Sequence, residues 1–322
     1  MTMPEVLRAP LRLPVIGSPL FILSNPDLVV AQCTSGIIGS FPALNARPES
    51  LLDEWLSEIT ERLAAWDRDN PDRPSAPFAV NQIVHKTNPR LEHDVEQCVK
   101  HKVPIIITSL GARPEVNDEV HSYGGITLHD VINNRFAHKA IEKGADGLIL
   151  VSNGAGGHAG RLSPIALIQE VREWYKGPVV LGGAISTGPA VLGALALGAD
   201  FAYVGSPFIA TQEADAPGEY KQMVVDSSAD DIVYSNVFTG VHGNYLRPAI
   251  ERAGLDPDNL GEADPKGMSY SSGDGAKPKA WKEIWGAGQG IGTVRSVVPA
   301  SQLVERLAEE YDDAWEALNE KR

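Results

Sequence analysis

The chain has 322 residues, a formal net charge of −14 at pH 7, 43% apolar residues and 22% charged residues. This acidic balance argues against non-specific nucleic-acid binding, and no apolar run reaches the ~18 residues that a membrane span requires. The two cysteines lack metal-ligand spacing and are too few for a disulfide framework, so neither a metal site nor a disulfide framework is predicted. The N-terminus lacks the apolar core of a signal peptide, and we therefore expect a cytoplasmic protein.

Short apolar runs alternate with amphipathic segments from residue 13 to residue 211, as is typical of parallel strands that are covered by helices. The predicted strands are Leu13–Ser18, Gly36–Phe41, Phe78–Ile83, Val103–Thr108, Ile126–Asp130, Gly147–Val151, Pro178–Gly182 and Phe201–Gly205. The predicted helices between them are Ser50–Trp66, Pro89–His101, Arg135–Lys143, Pro164–Lys176 and Pro189–Leu197.

Eight alternations within residues 1–211 predict an α/β fold, a (β/α)8 TIM barrel. A doubly wound sheet also alternates, but it usually has five or six strands, and no G-x-G-x-x-G motif follows the first strand here. After Thr211 the alternation ends. We expect residues 212–322 to be an inserted helical and irregular segment, including a loop over Pro257–Lys279 and a terminal helix over Ala300–Arg322, that packs on the barrel.

Glycine-rich loops follow the last two predicted strands. In a TIM barrel the active site lies at the carboxyl ends of the strands, and these two loops often hold a phosphate group. The loops contain Gly182-Gly183-Ala184 and Gly205-Ser206, and each leads into a predicted helix. Small residues allow close approach of a ligand to backbone N–H groups, so a phosphate site is predicted, although tight turns alone would also explain single glycines.

Polar residues at other strand ends are further candidates. His158 lies in a segment with four glycines, 153–160, and its imidazole suits proton abstraction near neutral pH; a structural role is the alternative. Asn81, in an apolar strand, requires partners, either the imide edge of a ligand ring or neighbouring backbone. His129 could also point into the barrel. Residues 285–292 form another glycine-rich turn, but it lacks the Gly-Lys-Ser/Thr ending of a Walker loop.

The order of four motifs resembles the nitronate monooxygenase family, formerly called 2-nitropropane dioxygenase, and the likeness extends from Pro14 to Gln289. The motifs are Ala155–Gly160, Leu181–Ile185, Ala196–Asp200 and Val204–Phe208. The resemblance implies a TIM-barrel flavoprotein with FMN at the carboxyl ends of the strands and His158 as the catalytic base. The cofactor-binding positions that it implies are Ser18, Pro19, Leu20, Asn81, Gly156, Gly157, Gly182, Gly183, Ala184, Gly205, Ser206 and Gln289.

Two positions depart from the pattern of the family that this chain resembles. The first loop reads Gly17-Ser18-Pro19-Leu20 where members often have Gln-Gly-Gly-Met, so flavin contact there would come from the backbone of Ser18–Leu20. The fifth strand ends in His129-Asp130 where many members have His-Lys, so a cation is missing at that position. Lys86 is one side chain that could supply the charge.

The resemblance implies an oxidoreductase that converts alkyl nitronates, or neutral nitroalkanes after removal of a proton by His158, with O2 to a carbonyl compound and nitrite. An NAD(P)H-dependent quinone or enoyl-thioester reductase with the same FMN site is the alternative enzyme. A barrel that binds a phosphate-bearing ligand without turnover is the alternative from a different class. In each case the partner is a small molecule rather than a nucleic acid or a membrane.

Overall fold

The computed structural model describes residues 3–261 and 283–321, so most of the predicted loop Pro257–Lys279 lies outside the described residues. Eight parallel strands form one sheet in the order β1-β9-β8-β6-β5-β4-β3-β2. These strands are β1 (Val15–Gly17), β2 (Gly39–Pro42), β3 (Phe78–Ile83), β4 (Ile105–Ser109), β5 (Ile126–Val131), β6 (Gly147–Val151), β8 (Val179–Gly182) and β9 (Phe201–Val204). All eight predicted strands are therefore confirmed, with end points that differ by at most three residues.

The sheet closes where β1 meets β2. Ile16 bridges to Ile38 in the parallel sense, and the Gly17 N–H donates to the Ile38 carbonyl at 2.8 Å. Successive side chains of a strand point to opposite faces, so every second residue lines the barrel interior. The interior is a TIM-barrel core of buried apolar side chains, among them Ile16, Ile38, Ala79, Ile105, Ile107, Leu128, Ile149, Val180 and Phe201.

Helices cover the outside of the barrel. The five predicted helices are present as α2 (Leu51–Asp69), α3 (Leu91–Lys100), α5 (Asn134–Glu142), α6 (Pro164–Trp174) and α7 (Gly188–Ala196). Two helices that we did not predict, α1 (Pro26–Thr34) and α4 (Pro114–Ser122), complete the alternation. None of the helices in residues 3–261 and 283–321 is long and apolar enough to cross a membrane.

The segment after β9 contains helices, as expected, and also strands. Its helices are α8 (Ser206–Ile209), α9 (Gly218–Asp226), α10 (Arg247–Arg252) and α11 (Ala300–Asn319). Strands β10 (Ile232–Ser235) and β11 (Gly243–Leu246) pair antiparallel, and β11 also pairs with β7 (Gly157–His158), which lies in the loop after β6. The expectation of a helical and irregular segment did not include these strands, which pair across segments that are distant in the sequence. The domain division after residue 211 stays a prediction.

The terminal helix packs against the barrel through α7. The Gly188 N–H donates to a carboxylate oxygen of Glu310 at 2.8 Å, and a Cβ at Gly188 would lie 2.1 Å from the Tyr311 nitrogen. Real Cβ atoms do not approach so closely, so glycine at this position allows the two helices to touch.

Candidate functional site

Three adjacent strands place a connected set of polar side chains at the carboxyl end of the barrel interior. Asn81 of β3 donates from Nδ2 to the Ser109 hydroxyl at 2.7 Å and to the Ile107 carbonyl at 3.1 Å. Ser109 of β4 donates to Oδ2 of Asp130 on β5 at 2.5 Å. We call Asn81, Ser109, Asp130 and Tyr203 of β9 the inner polar layer, because they lie beyond the apolar core on the inward faces of their strands.

Two atoms of the inner polar layer are buried without a well-aligned hydrogen-bond partner among the described residues. They are Oδ1 of Asp130 and the hydroxyl of Tyr203. Ser18 and Asp130 lie near the Tyr203 hydroxyl. Burial raises the pKa of Asp130 to about 7, and burial together with the Asp130 charge raises the pKa of Tyr203. An unpaired buried polar group costs about 1–3 kcal/mol, so such atoms at a barrel mouth indicate a place for a ligand.

His158 lies in β7, where backbone pairing with Gly243 holds it. Its Nε2 atom is 3.0 Å from the Thr239 hydroxyl, and that hydroxyl donates its proton to the Val241 carbonyl at 3.0 Å. The hydroxyl must therefore accept from His158, so Nε2 carries the hydrogen and Nδ1 is the basic nitrogen of the neutral imidazole. Burial lowers the pKa of His158 to about 4, which keeps the ring neutral at physiological pH.

The loop after β6 and the glycine-rich turn at 286–290 contact each other backbone to backbone. A Cβ at Gly156 would lie 2.9 Å from the Gly288 nitrogen, and a Cβ at Gly288 would lie 2.5 Å from the Gly154 carbonyl oxygen. The Gly288 N–H donates to the Ser206 hydroxyl at 2.7 Å, and the Gln289 N–H donates to the Gly154 carbonyl at 2.9 Å. This contact brings together the predicted cofactor residues at 156, 206 and 289.

The first loop of the barrel, Ser18–Leu20, lies beside the loop after β9. The Ser18 N–H donates to the Val204 carbonyl at 2.8 Å, and a Cβ at Gly205 would contact Ser18 and Leu20 at 3.2 to 3.5 Å. The predicted positions in the first loop, including Pro19 between the two contacts, therefore adjoin the predicted phosphate loop at Gly205-Ser206.

The loop after β8 is engaged within the protein. Gly183 and Ala184 have φ of +138° and +56°, and the Ala184 N–H donates to the Gly154 carbonyl at 3.2 Å. The Ala184 N–H is therefore already used within the protein and does not support a contact with phosphate. The role of Ala184 in phosphate binding stays a prediction. Gly182 has a different use, because a Cβ there would meet the Tyr203 ring at 3.3 Å. Glycine at this position gives Tyr203 room inside the barrel.

Residues 13–310 of the chain match the sequence model of the nitronate monooxygenase family. The chain belongs to this family. A nitronate monooxygenase of Paraburkholderia phytofirmans is 26% identical, with 95% of this chain and 94% of that protein covered. A Mycobacterium tuberculosis protein named as a monooxygenase is 27% identical, and the match covers 66% of this chain and only 60% of that protein. The solved structure of a nitroalkane oxidase from Streptomyces ansochromogenes superposes with a TM-score of 0.80 at 23% identity, covering 97% of this chain and all of that one.

Membership of the nitronate monooxygenase family makes this protein an oxidoreductase. Sequence reasoning missed three residues of its candidate site: Ser109, Tyr203 and Thr239. Ser109 and Tyr203 could have been found from strand periodicity, since each is the last inward-facing residue of its strand. Thr239 could not, because it reaches His158 from 81 residues further along the chain.

The inward orientation expected for His129 is wrong. Leu128 and Asp130 face the interior, so His129 faces the helices, where its Nδ1 atom lies 2.5 Å from the Thr108 hydroxyl. Burial lowers the pKa of His129 to about 4. The open surface grooves beside α1 and between α7 and α11 are lined by residues outside the inner polar layer. Lys86 is exposed, and its role as a substitute cation stays a prediction.

Proposed function

We propose that this protein is an FMN-dependent nitronate monooxygenase that converts alkyl nitronates and O2 to a carbonyl compound and nitrite. The observation that carries this proposal is the neutral, partly buried His158, held by Thr239 in a loop at the carboxyl ends of the barrel strands, the same end as the inner polar layer. Family membership supports the reaction class, and the two buried free cysteines, Cys33 and Cys98, support the cytoplasmic location that belongs to the same proposal.

The residues at the barrel mouth fit a flavin. Its ring has a polar edge of alternating donors and acceptors, and the inner polar layer offers buried atoms in need of partners. Asn81, Asp130 and Tyr203 would hold that edge, and the backbone of Gly183, Gly205 and Ser206 would hold the phosphate. When bound, FMN would supply the capacity to accept electrons and to react with O2.

The electrostatic surroundings of His158 favour a nitronate over a neutral nitroalkane. With a pKa of about 4, the ring is a weak base for removing a proton from carbon. A nitronate has already lost that proton, and its negative charge would raise the pKa of a nearby imidazole and so favour an attractive contact. In this role His158 binds and orients the substrate, and it takes up a proton only as far as the substrate charge raises its pKa.

The test uses the FMN-loaded protein and compares His158→Asn with His138→Asn, a change at an exposed histidine of α5. We expect oxygen consumption and nitrite release with an alkyl nitronate, a loss of about 10²-fold in His158→Asn, and no loss in His138→Asn. Both variants should keep the flavin absorbance. Undiminished turnover in His158→Asn would refute the role of His158, and a protein that stays colourless after addition of FMN would refute the flavin assignment.

The reductase alternative is tested by anaerobic mixing of the FMN-loaded protein with NADH or NADPH. Rapid bleaching of the flavin would favour an NAD(P)H-dependent reductase over the oxygenase proposed here. Flavin binding without turnover in either assay would favour the binding protein.

A further inference from the structure

The hydrogen bonds of the inner polar layer run in one direction. A backbone carbonyl only accepts, so the Asn81 atom that faces the Ile107 carbonyl is the Nδ2 nitrogen, and its second N–H points to Ser109. The Ser109 hydroxyl accepts from Asn81 and donates its single proton to Oδ2 of Asp130. With Oδ2 accepting this hydrogen bond, a proton on the Asp130 carboxyl lies on Oδ1.

Asp130 Oδ1 is the buried atom without a hydrogen-bond partner in residues 3–261 and 283–321. The carboxyl contacts the neutral Ser109 hydroxyl of β4, which in turn accepts from the Asn81 amide of β3. Within the described part of the chain, the titratable group that interacts with the carboxyl is the Tyr203 phenol of β9. Among the described residues no cation contributes to its ionisation; burial is the main cause of its raised pKa of about 7, against which the Ser109 hydrogen bond acts. The acid form is therefore well populated at neutral pH, with its proton on an atom that lacks an acceptor.

We propose that Asp130 is a cofactor contact that acts in its protonated form: Oδ1–H donates to an acceptor atom on the polar edge of the flavin ring, so that cofactor binding is linked to proton uptake. This inference rests on the flavin site of the proposed function and deepens it. The Tyr203 hydroxyl, also buried without a well-aligned partner in the described part of the chain, supplies a second donor to the same ligand.

Asn81 and Asp130 then make different hydrogen bonds to the ligand. Both N–H groups of Asn81 are used within the protein, so only its carbonyl oxygen can serve the ligand, as an acceptor. Asp130 serves as a donor two strands away. An acceptor and a donor in the same inner polar layer match an imide edge, in which an N–H group lies between two carbonyl groups. An ionised Asp130 would instead place a second acceptor there and repel a ring carbonyl.

The experiment measures the dissociation constants of FMN and riboflavin between pH 6 and 9 by flavin fluorescence, with protein freed of bound flavin. Riboflavin lacks the phosphate, whose own ionisation near pH 6 complicates the FMN data. We expect the affinity of the unmodified protein to fall by up to tenfold per pH unit above pH 7. Asp130→Asn, which donates without titrating, should show no such fall and bind at least tenfold more tightly than the unmodified protein at pH 8.5. Asp118→Asn, at an exposed position of α4, is the control and should follow the unmodified protein.

Parallel curves for the unmodified protein and Asp130→Asn would overturn the proposal, as would an affinity that rises with pH, since a carboxylate would then be the binding form. Calorimetry of the unmodified protein in buffers of different ionisation enthalpy provides a measurement that needs no variant: uptake of close to one proton with riboflavin at pH 8 supports the proposal, and no uptake overturns it. Neither readout uses a nitronate. Proton-linked flavin binding without nitronate turnover would refute only the proposed function.

Discussion

Replacement of Asp130 by asparagine is expected to stabilise the flavin-free protein, by an amount that grows with pH. Burial raises the pKa of the carboxyl from 3.8 to about 7, a difference of about three units. The folded state therefore binds the Asp130 proton more tightly than the unfolded state. The stability that this proton contributes is fully present below pH 4 and is lost as the pH rises to about 7.

Three units correspond to about 4 kcal/mol, because one pKa unit is 1.36 kcal/mol. This value is an upper bound, since the Asp130 side chain is partly exposed at the barrel mouth although Oδ1 is buried. Asparagine has nearly the same shape and stays neutral. The difference in unfolding free energy between Asp130→Asn and the unmodified protein should thus increase by up to about 1.4 kcal/mol per pH unit between pH 4 and 7, and then level off.

The assay is urea unfolding, followed by tryptophan fluorescence at pH values from 4.5 to 8.5. Titrations shared by both proteins cancel in the difference, so the pH profile reports on Asp130 alone. Asp118→Asn should give a difference close to zero at every pH. A difference for Asp130→Asn that is constant with pH would refute the buried, protonated carboxyl, and a difference that decreases with pH would show that Asp130 is stabilised as an anion.

Two further predictions concern the loops around the site. Gly288→Ala would place a Cβ 2.5 Å from the Gly154 carbonyl oxygen and should cost about 1–3 kcal/mol of stability, measured by thermal unfolding. Its control is Gly193→Ala on the open surface of α7, which should gain about 0.5–1 kcal/mol from helix propensity; equal effects of the two would contradict the loop contact. Thr239→Val removes the acceptor of the His158 Nε2–H and should lower kcat by roughly tenfold with little change in flavin binding. Thr239→Ser should restore kcat, and an equally low rate in that variant would contradict a positioning role for the hydroxyl.

The sequence predicts the barrel well because its signals are local. Each barrel strand is an apolar run, and the predicted helices have one-sided apolar faces, so both can be recognised without knowledge of the rest of the fold. The missed helix α1 also carried a local signal, since Asn25 accepts from the Leu28 N–H at 2.9 Å and Pro26 occupies the first turn. The apolar character of its remaining residues hid that signal, because a short apolar run suits a strand as well as a helix.

The site is less predictable because it depends on contacts between distant segments. Nothing local in Gly157–His158 indicates a strand, since its partner β11 supplies the pairing. Gly156 was interpreted as a ligand contact, yet the backbone of Gly288 fills the space beside it. Asp130 was noted only as a departure from the family pattern. Its meaning emerged from neighbours on β4 and β9 that the linear sequence does not bring together.

The pairing of β7 with β11 implies that the barrel forms before the surroundings of His158 are complete when the chain folds. All eight barrel strands precede residue 211. The hydrogen-bond partner of His158, Thr239, follows that histidine by 81 residues and lies after the last barrel strand. Contacts between residues far apart in sequence form late, because closing the intervening loop costs entropy before any contact rewards it. A refolding chain should regain the circular dichroism of the barrel before the environment of His158 is complete, and catalytic competence should return with the slower phase.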